Sequence, residues 1–389
     1  MKKTNRLYEA DAAAAEKPAQ GAAAPKEGAK PGEAGLVDIT AGPEAVLKAI
    51  VPDYTPASPK GTTYVVPEDI KKKLLAGKTD KAGPADEVVT LKSGSVKAGE
   101  LIPTQSNIDI DKSLADQIYN LFDNLKVGLD GGKVNSAGGG YPVLTFGGKY
   151  IIDGHHRWSQ VCMTNPNAML ETADLSTPAI KGTDDKSILA AQSMTHLILL
   201  GVYGKTVVKA VEGNNLLAMT EDAIKQAIMF GKGMKGGGPK KIPVELPICE
   251  ASIKAIDAKG LLNPYKEEAK KQLTDELKKQ IEEKYAKGGK WDGGELGKPD
   301  PALVVAAALM YEKNLGVLKG LAAKSPVKTA RAFMPQPADS GDANQMTSSN
   351  SDAIKKAASG EINFLNPLGE GRVIKTFEKF MQKWKKGDL

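Results

Sequence analysis

Residues 149–161 read Lys-Tyr-Ile-Ile-Asp-Gly-His-His-Arg-Trp-Ser-Gln-Val, and this stretch decides the predicted fold. Residues 150–152 are a short apolar run typical of a strand, Asp153-Gly154 is a turn pair, and apolar residues at helical spacing begin at Trp158. The sequence therefore predicts a strand, a tight turn and a helix in direct succession.

The turn itself, Asp-Gly-His-His-Arg at residues 153–157 (the DGHHR turn), carries two of the three histidines of the chain. Gly154 lets the backbone bend sharply, and the first N–H groups of the following helix point into the same space. Arg157 adds a planar fork of donors, and His155 and His156 can donate hydrogen bonds or carry protons near neutral pH. This pattern predicts an anion site, with phosphate as the best-suited anion. A solvated turn without a ligand remains the open alternative.

A metal site at the histidine pair is not predicted. Adjacent residues on a helix point about 100° apart, so other ligands would have to converge on the same ion. The sequence has no Cys-x-x-Cys or His-Glu-x-x-His spacing. The third histidine, His196, lies in an apolar helical stretch at residues 185–200 and is predicted to be a buried core residue.

Two further elements are predicted upstream of the DGHHR turn. A helix is expected with Asp111 or Ser113 as its cap and with one apolar face. That face consists of Leu114, Ile118, Leu121, Phe122 and Leu125. A strand at residues 141–146 is expected to enter a two-residue turn, Gly147-Gly148, which leads into the strand before the DGHHR turn.

This order of elements resembles the ParB/sulfiredoxin superfamily. In that family a strand ending in a Pro-x-Gln-like stretch, here residues 103–105, leads to a short helix, a hairpin, and then a signature turn and helix. The resemblance covers residues 98–175, and the turn is similar to the Asp-Gly-His-His-Arg form of ParB-like nuclease domains and free-serine-kinase-like relatives. It implies a small mixed sheet with helices and a nucleotide phosphate at the turn.

The turn of this chain differs from that of two members of the superfamily, sulfiredoxins and ParB partition proteins, and each difference removes one of the activities that the resemblance would imply. Sulfiredoxins carry a cysteine directly after the glycine, where this chain has His155, and its nearest thiol, Cys162, lies two helical turns further on. Sulfinic-acid repair is therefore not expected. ParB partition proteins carry Gly-Glu-Arg-Arg. Here the last arginine is kept as Arg157 and the carboxylate is lost, so the clamp-type CTP switch is not implied.

The resemblance also implies roles for single residues. Phosphate or nucleotide binding would fall to Gln105, Ser106, Gly154, His156 and Arg157. If a phosphoryl group is transferred or a phosphodiester or nucleoside triphosphate is hydrolysed, then Asp153, His155 and His156 are the candidate catalytic residues. Asp153 could equally cap the turn, and Asp109 and Asp111 could reach the same pocket. The expected ligand is a nucleotide (ATP, ADP or CTP) with Mg²⁺.

Two classes of function are left open. The first is an enzyme, namely a ParB-like nuclease, an NTPase or a small-molecule kinase. The second is a non-catalytic DNA-binding protein, or a phage structural or interaction protein that uses the ParB-like domain as a scaffold. The net charge of +6 permits contact with DNA without requiring it. Other proteins could bind through the helical C-terminal region.

The resemblance implies an α+β protein, and the composition indicates that the chain has several segments. Residues 1–35 form an Ala/Pro/Gly-rich disordered tail, and residues 36–97 an N-terminal extension. A small mixed sheet with helices is expected at 98–180, a helical region at 181–333, and a polar linker with a C-terminal amphipathic helix at 334–389. No stretch approaches 18 apolar residues, and two cysteines fit a reducing compartment. These features predict a cytoplasmic protein without a membrane partner, in the host cytoplasm or the virion if it is phage-encoded.

Overall fold

The computed structural model describes most of the chain between residues 39 and 335. The described residues are 39–51, 53–58, 61–66, 68, 89–119, 124–132, 134–136, 139–177, 180–208, 215–232, 246–291 and 294–335. The predicted tail at 1–35 and the predicted C-terminal helix near residue 380 lie outside them. The described residues all belong to one compact unit.

The fold is α+β, as predicted, and its centre is a five-stranded mixed sheet. The strands are β1 (Thr63–Val65), β2 (Thr90–Lys97), β3 (Ile102–Pro103), β4 (Val134–Ser136), β5 (Gly139–Tyr141), β6 (Val143–Phe146), β7 (Tyr150–Asp153), β8 (Met169–Ser176), β9 (Lys205–Val207), β10 (Lys290–Trp291) and β11 (Gly294–Glu295). The sheet order is β2-β8-β6-β7-β3. The β8–β6 and β7–β3 pairs are parallel, and the other two pairs are antiparallel.

Helices cover both faces of this sheet and dominate the second half of the described chain. They are α1 (Pro43–Ile50), α2 (Ile110–Tyr119), α3 (Asn124–Asp130), α4 (His155–Thr164), α5 (Asp185–Tyr203), α6 (Glu221–Phe230), α7 (Glu250–Ala258), α8 (Lys266–Gln272), α9 (Asp275–Ala286) and α10 (Pro301–Ala323). Short 3-10 turns include Ala98–Glu100 and Arg331–Phe333.

The sheet separates two hydrophobic cores, and successive residues of its strands point into one core and then the other. Ile151 of β7 lies in the core formed with α2, α4, α6 and α10, whereas its neighbour Ile152 lies in the core formed with α1 and α5. Val143 and Leu144 of β6 divide in the same way. Because successive strand residues point to opposite faces, these apolar runs can fill both cores at once.

The predicted hairpin is present, but its turn is longer than expected. β6 and β7 pair antiparallel with Phe146 opposite Tyr150, so three residues and not two lie between them. Gly147 and Gly148 have φ values of 60° and 73°, in the left-handed region that glycine tolerates. A Cβ on Gly147 would also collide with the Thr183 side chain. The loop thus has three residues, Gly147, Gly148 and Lys149, of which the first two have left-handed backbone.

The predicted cap of α2 is wrong. The helix begins at Ile110, one residue before Asp111, so Asp111 and Ser113 both lie inside its first turn. The Ser113 hydroxyl donates to the Asp109 carbonyl oxygen at 2.7 Å instead of capping the helix. The predicted apolar face is confirmed for Leu114 and Ile118, which are fully buried. Leu125 is buried as well, but it belongs to the next helix, α3.

Helix α10 is long and apolar enough, by length and composition, to cross a membrane. In this chain 56% of its most apolar stretch is buried inside the protein, where it packs against α4, α6 and α8. At its start, Pro301 lies in the first turn and the Asp300 carboxylate accepts from Ala302 N at 2.8 Å. Much of its apolar surface is thus covered by helices of the same chain.

Candidate functional site

The predicted strand, turn and helix are confirmed around the DGHHR turn. β7 ends at Asp153, Gly154 has φ 101° in the left-handed region, and α4 begins at His155. The Gly154 carbonyl accepts from Trp158 N at 2.8 Å, which makes this glycine the N-cap residue. A Cβ at position 154 would lie 3.1 Å from Nη2 of Arg157, so both the backbone angle and the space favour glycine.

Arg157 folds back over the turn and pairs with its first residue. Its Nη2 lies 3.2 Å from Oδ2 of Asp153, and its Nη1 donates to the Pro142 carbonyl at 3.4 Å. The two side chains are 14% and 22% exposed, so the pair is only partly reached by water. Asp153 therefore neither caps the helix nor stands as an isolated carboxylate; it neutralises Arg157.

His155 holds the loop that follows β3. Its Nε2 accepts hydrogen bonds from Thr104 N at 3.1 Å and Gln105 N at 3.2 Å, and the residue is 3% exposed. An accepting Nε2 carries no proton, so the ring is neutral with its proton on Nδ1. Burial, aided by the charges of Arg331 and Arg157, lowers the pKa of His155 to about 3. This geometry differs from the predicted catalytic role, because Nε2 is already engaged by two backbone amides.

His156 lies between the DGHHR turn and two distant segments. Its Nε2 accepts from Asp109 N at 3.1 Å and from Nη1 of Arg331 at 3.0 Å. Burial holds the pKa of His156 well below its usual value, and the positive charges of Arg331 and Lys112 add to this effect. The imidazole is therefore neutral at pH 7 and acts as an acceptor at Nε2, which differs from the predicted proton carrier.

Arg331 is a residue of the site that the sequence prediction missed. Its side chain is 5% exposed and lies 3.9 Å from Oδ2 of Asp109, besides its contact with His156. Arg331 and His156 are 175 positions apart in the chain, so no local motif could join them. The one available signal was a single arginine in an otherwise apolar run, Ala330-Arg-Ala-Phe-Met334.

The predicted pocket residues Gln105 and Ser106 are brought beside the turn, mainly through their backbone. Gln105 is buried, and its side chain donates to the Asn107 carbonyl. The Ser106 hydroxyl donates to Oδ1 of Asn107 at 2.6 Å. Both side chains thus bond within their own loop, whereas Gln105 N reaches His155. Asp109 lies at the site, and the side chain of Asp111 lies outside what the structure describes.

A segment after α10, residues 327–334 (the strap), lies along this loop. Thr329 N donates to the Thr104 carbonyl at 2.8 Å, and the Thr329 carbonyl accepts from Ser106 N at 2.9 Å. Further along, the Phe333 carbonyl accepts from Nε2 of His196 at 2.7 Å. His196 is 1% exposed, which confirms the predicted core histidine, and burial lowers its pKa to about 4.

A surface cleft of about 520 Å³ lies at the other end of α4, away from the predicted site residues. Its lining includes Thr164, Asn165 and Asn314, with Lys97 and Glu100 among the charged residues. Asn314 Nδ2 donates to the Met163 carbonyl at 2.8 Å and so satisfies the C-terminal end of the helix.

Within the described ranges, no group of three or more His, Cys, Asp or Glu side chains is arranged to hold a metal ion. Comparisons of the chain with protein-family models, with curated proteins and with solved structures give no match. The contacts of the DGHHR turn are therefore the basis for the functional proposal.

Proposed function

We propose that this protein binds a phosphate group of a nucleotide or of nucleic acid at the DGHHR turn. The observation that carries the proposal is that two arginines meet the N-terminal end of α4: Arg157 lies over Gly154, and Arg331 bonds to His156 in the first turn of the helix. Burial is the main reason that the pKa values of His155 and His156 are low, and the charges of Arg331 and Arg157 lower both further. Positive charges that disfavour protonation of an imidazole favour a negatively charged phosphate at the same place.

The backbone supports the same conclusion. The first N–H groups of α4 have no partner within the helix, and the helix dipole places partial positive charge at this end. Gly154, in the left-handed region, turns the chain from β7 directly into α4. Because it is a glycine, it places no side chain beside these N–H groups. Strand, glycine turn and helix start together form a geometry that is well suited to phosphate.

The contacts favour binding without a catalytic step. Both predicted proton carriers, His155 and His156, already accept two hydrogen bonds at Nε2. The nearest carboxylates, Asp153 and Asp109, are each paired with an arginine. Because these histidines and carboxylates are already engaged, they do not suit the direct coordination of Mg²⁺. Any Mg²⁺ would therefore enter bound to the phosphates of the nucleotide.

The succession of elements supports a ParB/sulfiredoxin-like domain as the framework of this site. β3 is followed by α2, by the β6–β7 hairpin and by α4, in the order that the resemblance implies. β3 and β7 also lie side by side in the sheet, which brings the loop after β3 to the DGHHR turn.

A second candidate is a phage structural or interaction protein, or a non-catalytic DNA-binding protein, in which the turn serves only as a scaffold. The observation in its favour is that Arg157 pairs with Asp153 and lies over Gly154. A phosphate would have to replace the carboxylate as the partner of Arg157. The first candidate thus predicts that a nucleotide binds at the turn, and the second predicts that it does not.

Titration calorimetry on the full chain tests the proposal. ATP, ADP, CTP and GTP are each added with Mg²⁺, and duplex DNA is added at low and at moderate salt. We expect a nucleotide to bind to the wild type, with binding lost in Arg157→Gln and retained in Lys126→Gln, a charge-matched control on the exposed face of α3. Nucleotide binding that survives Arg157→Gln, or no binding of any of these ligands, would overturn it. DNA binding that depends steeply on salt but not on Arg157 would favour the second candidate.

A further inference from the structure

The hydrogen bonds of His156 fix which ring nitrogen carries its proton. Two donors converge on Nε2, namely the backbone N–H of Asp109 at 3.1 Å and Nη1 of Arg331 at 3.0 Å. Neither a backbone amide nitrogen nor a guanidinium can accept a hydrogen bond in return. Nε2 must therefore be the unprotonated nitrogen, and the proton of the neutral ring lies on Nδ1.

The strap holds Arg331 in the position that this contact requires. On one side of Arg331, Thr329 forms two backbone hydrogen bonds with the loop after β3, and its hydroxyl donates to Oε1 of Gln192 at 2.7 Å. On the other side, Phe333 is held by His196. Both flanks of Arg331 are thereby fixed, and its buried guanidinium has little freedom to leave His156.

Nδ1 of His156 faces a different environment from Nε2. Among the described residues it makes no hydrogen bond, and it is not one of the side-chain atoms that are buried without a partner. His156 is half-buried, and this nitrogen is not fully enclosed, so it is the ring atom that a ligand can reach. Because His156 is the second residue of α4, this N–H belongs to the same end of the helix as the backbone donors of the first turn.

We propose that Arg331 is a positioning residue of the site. Together with the Asp109 amide, it holds His156 as the neutral tautomer with its proton on Nδ1, so that His156 donates a hydrogen bond to the bound phosphate and exchanges no proton with it. The role toward phosphate rests on the proposed function, whereas the tautomer does not. The charged and titratable groups that face His156 are Arg331 of the strap, Asp109 of the loop after β3, Lys112 of α2, and His155 and Arg157 of α4.

Long-range ¹H–¹⁵N correlation spectra of the full chain with ¹⁵N-labelled histidine test the tautomer directly, because three rings are readily resolved. In the wild type we expect His156 to show a protonated Nδ1 and an unprotonated Nε2, with a titration midpoint well below pH 6.5. In Arg331→Met the midpoint should rise toward the ordinary histidine value of about 6.5. Arg331→Lys keeps a donor and a positive charge, so it should keep most of the wild-type behaviour.

Lys328→Met is the matched control, since Lys328 is an exposed cation on the same strap. It should leave all three histidines unchanged. An unchanged His196 signal in the Arg331 variants would show that the fold is intact, whereas the pKa of His155 should rise in Arg331→Met because Arg331 helps to lower it. A wild-type His156 with its proton on Nε2, or a doubly protonated ring at pH 7, would overturn the inference. So would an Arg331→Met variant whose His156 titrates as in the wild type.

Binding of ADP with Mg²⁺ tests the role toward phosphate. His156→Ala removes the Nδ1 donor and should weaken binding about tenfold, as expected for a hydrogen bond to a charged group. His156→Asn places an amide N–H near the position of Nδ1 and should restore much of the affinity. If wild-type protein shows the expected tautomer but binds no nucleotide, the proposed function fails and the positioning role of Arg331 stands. If it binds ADP with the opposite tautomer, the positioning role alone fails.

Discussion

The two ends of helix α4 differ in nearly every respect. At the N-terminal end, in the DGHHR turn, Arg157 pairs with Asp153, and Arg331 lies 3.9 Å from Asp109. The C-terminal end opens into a cleft of about 520 Å³ whose lining includes two charged residues, Lys97 and Glu100. The cleft and the paired charges thus lie at opposite ends of one helix. Our proposal of a phosphate site at the DGHHR turn therefore rests on charge and hydrogen-bond geometry and not on open volume.

The largest expected effect comes from the residue that joins the two ends, Trp158. It is fully buried, and its indole N–H donates to the Ala98 carbonyl at 2.7 Å. Trp158→Ala leaves a cavity and an unpaired carbonyl, so we expect a loss of about 3–5 kcal/mol in the free energy of unfolding. Urea unfolding followed by circular dichroism measures it. A loss below about 1 kcal/mol would show that α4 is not held as described.

Acid should destabilise the fold through two buried histidines, His155 at the N-terminal end of α4 and His196 in α5. The pKa values of His155 and His196 are lowered by folding to about 3 and about 4, so both rings are neutral in the folded protein and become charged only on unfolding in mild acid. Their stabilising effect is full above the unfolded pKa of about 6.5 and falls as the pH drops toward the folded values. Each histidine should contribute a loss of about 2 kcal/mol between pH 7 and pH 5.

The free energy of unfolding, measured at pH 7 and at pH 5 for the wild type and for His196→Gln, tests this pH dependence. The variant should lose less stability on acidification than the wild type does. Equal losses in both proteins would contradict a neutral buried ring at position 196.

Gly154→Ala probes the geometry of the DGHHR turn. The substitution forces alanine to φ 101° and places its Cβ 3.1 Å from the Arg157 guanidinium, so we expect a destabilisation of about 1–3 kcal/mol. It should also abolish nucleotide binding, because Arg157 is displaced. Gly148→Ala is a matched control with positive φ but open space around it, and it should leave nucleotide binding intact. Nucleotide binding that survives Gly154→Ala would show that binding does not depend on the geometry of the DGHHR turn.

Asn314→Ala is the corresponding test at the cleft end. Asn314 Nδ2 donates to the carbonyls of Met163 and Thr164 at 2.8 and 3.3 Å, so its loss leaves two helix-end acceptors without this donor. We expect a destabilisation of about 1–2 kcal/mol. Nucleotide affinity should not change, since this end of α4 holds no residue of the proposed site. A loss of affinity in calorimetry would assign the ligand to the cleft.

The parts of the site that the sequence predicts are those encoded by adjacent residues. β7, the left-handed Gly154 and α4 follow one another within fifteen positions, and their apolar spacing and turn residues carry enough information. His196 was predicted correctly for a similar reason, because four apolar residues, Leu197 to Leu200, follow it directly on the helix.

The roles of the two turn histidines were not predictable in this way. His155 accepts from amides 51 and 50 positions away, and His156 binds Arg331 across 175 positions. Such contacts depend on the β3–β7 pairing and on the path of the strap after α10, which no local pattern records. The cap of α2 failed for a related reason, since Ser113 lies inside the helix and bonds back to Asp109.

A crystal structure of the full chain with ADP and Mg²⁺ would show whether phosphate binds at the DGHHR turn. We expect a phosphate within hydrogen-bonding distance of the Arg157 guanidinium and of the first N–H groups of α4, with Asp153 displaced from Arg157. Phosphates bound in the cleft beside Lys97 and Tyr265, or an Asp153–Arg157 pair unchanged at saturating ADP, would contradict it.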